Sequence, residues 1–163
     1  MSLYRSCPVQ GHVGYGIVDA TFRSTETLAS VVEPSGIQVR TGDRLPGIPR
    51  HNLKAGIDWR VIPRWRVGVG TVFASSQHLR GDEGNNLARI GGYAILNGST
   101  TIRLSESVEL WGRVDNILDR DYETGGTRNF NAFAAPEIEE QRFLAPGHPR
   151  GAWAGVRVRL ENR

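Results

Sequence analysis

The chain has 163 residues, of which 39% are hydrophobic and 23% charged, with a formal net charge of +3 at pH 7. Its length is typical of a single domain, and no apolar run approaches the roughly 18 residues that a transmembrane helix needs. The single cysteine excludes an intramolecular disulfide and a thiolate metal cluster. Arginines are dispersed among acidic residues, which argues against a nucleic-acid partner.

Six segments alternate apolar and polar residues, the pattern of a strand whose two faces meet different environments. The predicted strands cover residues 13–24, 51–61, 65–73, 93–104, 108–118 and 151–160. The first of them places Val18, Ala20 and Phe22 on its apolar side and Tyr15 on its polar side. We therefore expect the structure to be built from strands alone.

Long and short connections alternate between these strands. The turns at 62–64 and 105–107 are short, whereas the connections on either side of them are long and polar. The strands reach ten or more residues, which is long for a globular protein and matches the 9 to 11 residues that a tilted strand needs to cross a bilayer. This pattern predicts an all-β, antiparallel up-and-down meander of about six long strands, part of a transmembrane β-barrel.

The two sets of strand faces differ in chemistry. The apolar faces carry small aliphatic residues and glycine, as a lipid-facing belt does. A soluble or self-assembled β-barrel or sandwich that binds a small apolar ligand stays open as the alternative. The polar faces are expected to line a hydrated lumen, and their charged residues are Lys54, Asp58, Arg60, Arg66, Arg103, Glu109, Arg113, Asp115, Arg157 and Arg159.

Aromatic residues near the strand ends are placed as residues of an interfacial girdle would be. They are Tyr15, Trp59, Trp65 and Tyr93, whereas Trp111 and Trp153 fall on the polar faces.

No catalytic or metal-binding pattern is present. The four histidines lie far apart in the sequence, and the stretch "GDEGNN" at 81–86 lacks the alternating acidic spacing of a calcium loop. We expect no enzyme activity, no metal and no cofactor.

Three stretches are similar to the C-terminal part of a TonB-dependent outer-membrane receptor barrel. They are "GDRLPGIPRHNLKAGIDWRV", "YAILNGSTTIRLSESVELWGRVDNILDRDYET" and "FLAPGHPRGAWAGVRVRL". The motifs that match are Pro46–His51, Tyr93–Asn97, Val114–Tyr122 and Pro146–Arg150. The resemblance covers residues 13–160, and it leaves residues 1–12 unplaced and residues 161–163 as a tail.

The resemblance implies a receptor for nutrient uptake, such as a ferric siderophore or cobalamin receptor, in the bacterial outer membrane. Such a receptor has a barrel of about 22 strands, a plug domain and a segment that contacts TonB. With six strands, and no apolar leader in residues 1–12, we expect this chain to be a barrel fragment that does not transport alone. Its expected partners are outer-membrane lipid, the missing plug and strands, TonB through the absent N-terminal part, and its own copies through edge strands.

Candidate functional residues lie at strand ends and in the long connections. Asn116, Asp119 and Tyr122 are expected to end a strand and anchor the connection that follows. An anionic iron chelate would meet residues of the external loops, for which we expect Arg80, Arg128, Phe130, Phe133 and Arg142.

Overall fold

The computed structural model describes residues 8–131, 133 and 139–160. These residues form ten strands: β1 (Val9–Ile17), β2 (Glu26–Leu28), β3 (Ile37–Val39), β4 (His51–Ile62), β5 (Trp65–Ala74), β6 (Tyr93–Arg103), β7 (Val108–Asp115), β8 (Glu123–Asn131), β9 (Glu139–Pro146) and β10 (Gly151–Val158). Within the described ranges, no helix is long and apolar enough to cross a membrane. The expected tail at 161–163 and residues 1–7 of the unplaced segment lie outside the described residues.

Six of these strands form one antiparallel sheet in the order β1-β4-β5-β6-β7-β10. Two tight turns join β4 to β5 and β6 to β7 at one end of this sheet. The long connections, residues 18–50, 75–92 and 116–150, all leave from the other end. The predicted all-β meander is therefore confirmed, and two small hairpins, β2-β3 and β8-β9, add to it within the long connections.

The prediction for the first strand was wrong in position and in face. The strand runs from Val9 to Ile17 and pairs with β4 from Trp59 back to His51. Just beyond that point Val18 N–H donates to Arg50 O at 2.9 Å, and the regular pairing of β1 with β4 ends. Phe22 instead bonds within the following connection, where its N–H donates to Asp43 O at 2.9 Å.

Strand register places each residue of the sheet on one of two faces. One row of directly paired residues runs Gln10, Asp58, Gly68, Ser99, Arg113 and Trp153, and the row beside it runs Val9, Trp59, Val67, Thr100, Gly112 and Ala154. Because paired residues share a face, all of the predicted lumen residues within strands lie on the first face, which we call the polar face. Arg159 follows the end of β10.

The opposite face, called the apolar face, carries no Asp, Glu, Lys or Arg within the six paired strands. Tyr15 belongs to this face, together with Val13 and Ile17, which reverses the side predicted for it. Large residues of this face are open to the surroundings: Ile57 is 57% exposed and Val156 is 62% exposed. A sheet with one bare apolar face requires lipid or protein against it.

The buried apolar core of the described residues lies mostly outside the sheet. Val32, Ile37, Val39, Leu79 and Ile90 are at most 9% exposed, and all of them belong to the long connections. The long connections therefore form a packed layer of their own at one end of the sheet.

Candidate functional site

Three connections make up this layer: the first loop (residues 18–50), the middle loop (75–92) and the last loop (116–150, in its described part). The first and middle loops are joined by paired hydrogen bonds. Arg44 N–H donates to Asn85 Oδ1 at 2.7 Å, and Asn85 Nδ2 donates back to Arg44 O at 2.9 Å. Gly47 N–H donates to His78 O at 3.0 Å. The middle loop is thus fixed on one side.

On its other side, the middle loop adds a short bridge to β8. Arg80 N–H donates to Gly126 O at 3.2 Å, and Arg128 N–H donates to Arg80 O at 2.8 Å. Leu79, fully buried, packs against the same strand: a Cβ added at Gly126 would lie 2.9 Å from Leu79 Cδ2. The glycine at 126 is required by this close approach, and the middle loop lies between its two neighbours.

Among the residues expected to meet a ligand, Arg128 forms ion pairs with acidic residues of the protein itself. Its guanidinium forms a bidentate ion pair with Glu140 and lies 3.7 Å from Glu33 Oε2, with a side chain only 16% exposed. The hydrogen bonds from Arg128 hold the pKa of Glu140 below its ordinary value, and Glu140 raises the pKa of Arg128. Arg128 therefore connects the first loop to the β8-β9 hairpin.

The other four expected residues are exposed. Arg80 and Arg142 lie on the middle loop and on β9, and Phe130 is 41% exposed. Phe133 is 97% exposed, and its N–H donates to Asn131 Oδ1 at 3.0 Å. The structure brings Arg80 close to Arg128 through the backbone and leaves the two phenylalanines in contact with solvent.

Asn116 lies at the end of β7, two residues before the end predicted for that strand. Its side chain is 1% exposed. Its Nδ2 donates to Arg120 O at 2.9 Å and to His148 O at 3.1 Å, while its Oδ1 accepts from Arg120 N at 3.0 Å. The backbone φ of 50° ends the strand here, a conformation that asparagine tolerates better than most residues.

Asp119 and Tyr122 extend the same arrangement toward β10. Asp119 accepts a hydrogen bond from Arg150 N at 3.1 Å and forms an ion pair with the Arg150 guanidinium at 3.1 Å. Tyr122 O accepts from Gly147 N at 2.7 Å, and a Cβ at Gly147 would overlap the Tyr122 ring. We call these residues and Asn116 the strand-end latch, since they hold the exit of β7 next to the entry of β10.

The polar side chains of the stretch at 81–86 form hydrogen bonds within the protein. Asp82 is 3% exposed, lies 3.2 Å from His78 Nδ1 and accepts hydrogen bonds from the N–H groups of Asn86 and Leu87 at 2.8 and 3.2 Å. Among the described residues, no group of three His, Cys, Asp or Glu side chains is arranged to hold a metal ion.

The polar face carries ion pairs between and along its strands. Arg113 Nε lies 2.7 Å from Asp115 Oδ1, and Arg157 pairs with Glu109 on the neighbouring strand. Trp111 and Trp153 also lie on this face, as the sequence predicted. Such a surface is suited to water or to a polar domain, since charged side chains are costly to place in hydrocarbon.

Aromatic residues mark both ends of the apolar face. Trp59 and Trp65 lie near the tight turns, and Tyr15 lies at the end that carries the loops. Tyr93 departs from the prediction: it belongs to the polar face and packs on Tyr122, with ring centroids 4.6 Å apart. Aromatic residues at the two ends of an apolar band are typical of a membrane-spanning sheet.

Comparison with known proteins settles the family. The family model "TonB dependent receptor-like, beta-barrel" matches residues 9–117, two thirds of the chain. The chain belongs to this family. Its six-stranded sheet is barrel wall of the TonB-dependent receptor type, which confirms the resemblance found in the sequence.

Relatives agree with this assignment. The pesticin receptor of Yersinia enterocolitica is 27% identical over 94 residues, 58% of this chain and 14% of that protein. The siderophore receptor PiuA from Acinetobacter baumannii superposes with a TM-score of 0.72 at 16% identity, covering 94% of this chain and 20% of that one. The ferric-catecholate import receptor Fiu from Escherichia coli K12 gives 0.62 at 21% identity, with 93% and 19% covered.

At these identities the structural matches establish the fold. The chain spans about a seventh of the curated relative and about a fifth of each receptor structure, by the coverages of 14%, 20% and 19%. The relatives are receptors and transporters, not enzymes, and the soluble alternative gains no support from them.

Proposed function

We propose that this chain forms part of the wall of an outer-membrane receptor that takes up a ferric siderophore or a similar metal chelate. One observation carries the proposal: a single sheet has a charge-free face and a charged face, with every long loop at one end. Lipid fits the first face, and a hydrated lumen fits the second. The names of the two structurally similar receptors, a siderophore receptor and a ferric-catecholate import receptor, support the substrate class.

The remainder of such a receptor would complete the sheet and the lumen. Strands β1 and β10 are the edges, each paired on one side only within the described sheet. Unpaired backbone groups in hydrocarbon cost several kcal/mol each, so we propose that further barrel strands, or copies of this chain, pair with both edges. A plug would lie against the polar face, and contact with TonB would belong to a part outside these strands. On this basis the chain does not transport alone.

We propose that the exposed loop residues Arg80, Arg142, Phe130 and Phe133 meet the arriving chelate, while Arg128 holds their supporting loops in place. Guanidinium groups bind carboxylate and phenolate oxygens through charge-assisted hydrogen bonds. Aromatic rings add apolar contact with the chelator's organic frame.

Uptake of a radioactive iron chelate by cells tests this proposal. In the receptor that contains this chain, Arg80→Ala combined with Arg142→Ala should lower uptake at limiting chelate by about tenfold or more, since a hydrogen bond to a charged group contributes about 1.5 to 3 kcal/mol. Arg64→Ala, in the tight turn at the other end of the sheet, is the matched control and should leave uptake unchanged. Normal uptake by the double variant, at normal receptor abundance, would exclude these residues as chelate contacts.

A further inference from the structure

A cavity of about 210 Å³ lies where the first and middle loops meet the end of the sheet. At roughly 30 Å³ per water molecule, it has room for several waters, and so for a tetrahedral oxyanion with its hydration. We call it the rim cavity. Its polar lining includes Arg44, Arg50, Arg89, His51, His78 and Ser75.

Positive charge dominates this lining. Three arginines line the cavity, and Asp19 is the acid that pairs with two of them: its Oδ1 lies 3.2 Å from Arg44 Nη1 and 3.7 Å from Arg50 Nε. The second distance exceeds hydrogen-bonding range. The side chains of Arg44 and Arg50 are 30% and 46% exposed, so an anion can reach them from solvent.

His78 forms part of the inner wall of the cavity. It is 5% exposed, its Nδ1 lies 3.2 Å from Asp82 Oδ2, and its Nε2 is buried. An anion that enters the cavity therefore meets the partly exposed guanidinium groups of Arg44 and Arg50.

The position of the cavity indicates which anion it meets. His51 and the adjoining Ser75 continue the apolar face, and His51 stacks on Tyr15 of that face, with a hydrogen bond of 2.7 Å between Tyr15 Oη and His51 Nδ1. Leu45 and Ile48 complete the lining. The cavity therefore borders the face assigned to lipid, at the end where the aromatic pair marks the boundary between hydrocarbon and water.

We propose that the rim cavity binds the phosphate monoester of a lipid headgroup in the outer leaflet, with Arg44, Arg50 and Arg89 as the cationic partners. This inference rests on the proposed function only for the placement of the apolar face in the membrane. Guanidinium groups suit phosphate because their fixed N–H donors match two phosphate oxygens at once. Asp19 competes with the phosphate for the same guanidinium groups.

The test uses the receptor that contains this chain, purified in dodecyl maltoside, a detergent without phosphate. Mass spectrometry of the protein released from micelles counts bound phosphatidic acid, with phosphatidylcholine as the comparison lipid. Calorimetry measures binding of inorganic phosphate. Arg44→Gln combined with Arg50→Gln should weaken binding of phosphatidic acid at least tenfold, and Asp19→Asn should tighten it several-fold.

Two control variants match these changes in charge. Arg23→Gln lies in the same loop away from the cavity, and Glu106→Gln lies in the turn at the opposite end of the sheet; neither should alter binding. Normal binding of phosphatidic acid by the Arg44→Gln and Arg50→Gln double variant would overturn the proposed site. The site would also be overturned if Glu106→Gln tightened binding as much as Asp19→Asn does. Binding of inorganic phosphate without phosphatidic acid would overturn the lipid assignment. Lipid binding is measured here without transport. The result is therefore independent of whether the residues proposed to contact the chelate are correct.

Discussion

Asn116 ends a strand and organises the chain beyond it with one short side chain. Its amide reaches three backbone groups, two of them on Arg120 and one on His148, from a position that is 1% exposed. At this depth the backbone groups obtain their hydrogen bonds from the side chain. The geometry explains why an amide, with a donor and an acceptor on one planar group, occupies this position.

Replacing Asn116 by alanine should therefore destabilise the receptor by about 2 to 4 kcal/mol, because buried backbone groups lose their partners. Denaturant unfolding in detergent measures this loss. Asn52→Ala is the matched control, since Asn52 is exposed and makes one side-chain hydrogen bond, to Pro49 O; its effect should stay within about 0.5 kcal/mol. Equal effects of the two substitutions would show that the latch does not stabilise the fold.

The ion pair between Arg128 and Glu140 predicts a pH dependence with a definite sign. The pKa of Glu140 is lowered from 4.5 in the folded protein, so the unfolded chain binds the proton more readily. The stabilising contribution is complete above 4.5 and is lost as the pH falls through the lower folded value. Since Glu140 is exposed, the effect is small.

The thermal midpoints of the wild type and Glu140→Gln, compared from about pH 6 to about pH 3, measure this contribution. The wild type should melt at a higher temperature at pH 6, and the difference should shrink as the pH falls. A difference that stays constant across this range would show that the carboxylate charge of Glu140 contributes nothing.

Individual strands show how the polar face makes room for large rings. Gly155 of β10 faces Trp111 of β7 across a directly paired position, and a Cβ at Gly155 would lie 2.8 Å from the indole. The neighbouring Ala154 faces the other way, toward Gly112. The space beside Gly155 is thus filled by an indole ring, whereas the space beside Ala154 is open.

This contrast predicts opposite outcomes for two valine substitutions in β10. Gly155→Val should displace the Trp111 indole and destabilise the barrel by about 1 to 3 kcal/mol, as overpacking does. Ala154→Val, directed at lipid, should cost less than about 0.5 kcal/mol. Unfolding in lipid vesicles measures both, and equal costs would contradict the assignment of the two faces in this strand.

For the molecule as a whole, the two faces of the sheet decide its surroundings. Val69 of β5 is directly paired with Ile57 and Gly98 near the middle of the apolar face, and Ser99 occupies a comparable depth on the polar face. A charge at these two positions meets lipid in one case and water in the other.

Val69→Lys should reduce the stability of the receptor in lipid vesicles by about 2 to 4 kcal/mol, the cost of a cation at the middle of a bilayer. Ser99→Lys should change it by less than about 1 kcal/mol. Reversible unfolding from vesicles gives both values. If the lysine on the apolar face were tolerated as well as the one on the polar face, lipid would not be the partner of that face.

Alternation along the chain was enough to predict five of the six sheet strands to within a few residues. It failed for the first strand because apolar residues occur there on both parities, Val13 and Ile17 on one and Val18, Ala20 and Phe22 on the other. Only pairing with β4 decides which of these two sets lies on the apolar face. That decision depends on the register between strands and cannot be made from one strand alone.

The packing of the loops could not be predicted for a related reason. Val32, Leu79 and Ile90 lie far apart along the chain and follow no periodic pattern. The strand-end latch was predictable from Asn116 and Asp119, whereas the partner of Arg128, Glu140, lies across the β8-β9 hairpin. Neither that hairpin nor the three arginines of the rim cavity had a signal in the sequence.

The middle loop, enclosed by its two neighbours, connects the three loops at this end of the sheet. Leu79 is 0% exposed and Ile90 is 2% exposed, and backbone hydrogen bonds join the middle loop to both flanking loops. No one of the three loops can swing aside without exposing apolar groups of another. We therefore expect the three loops to move together as one unit, rather than one at a time.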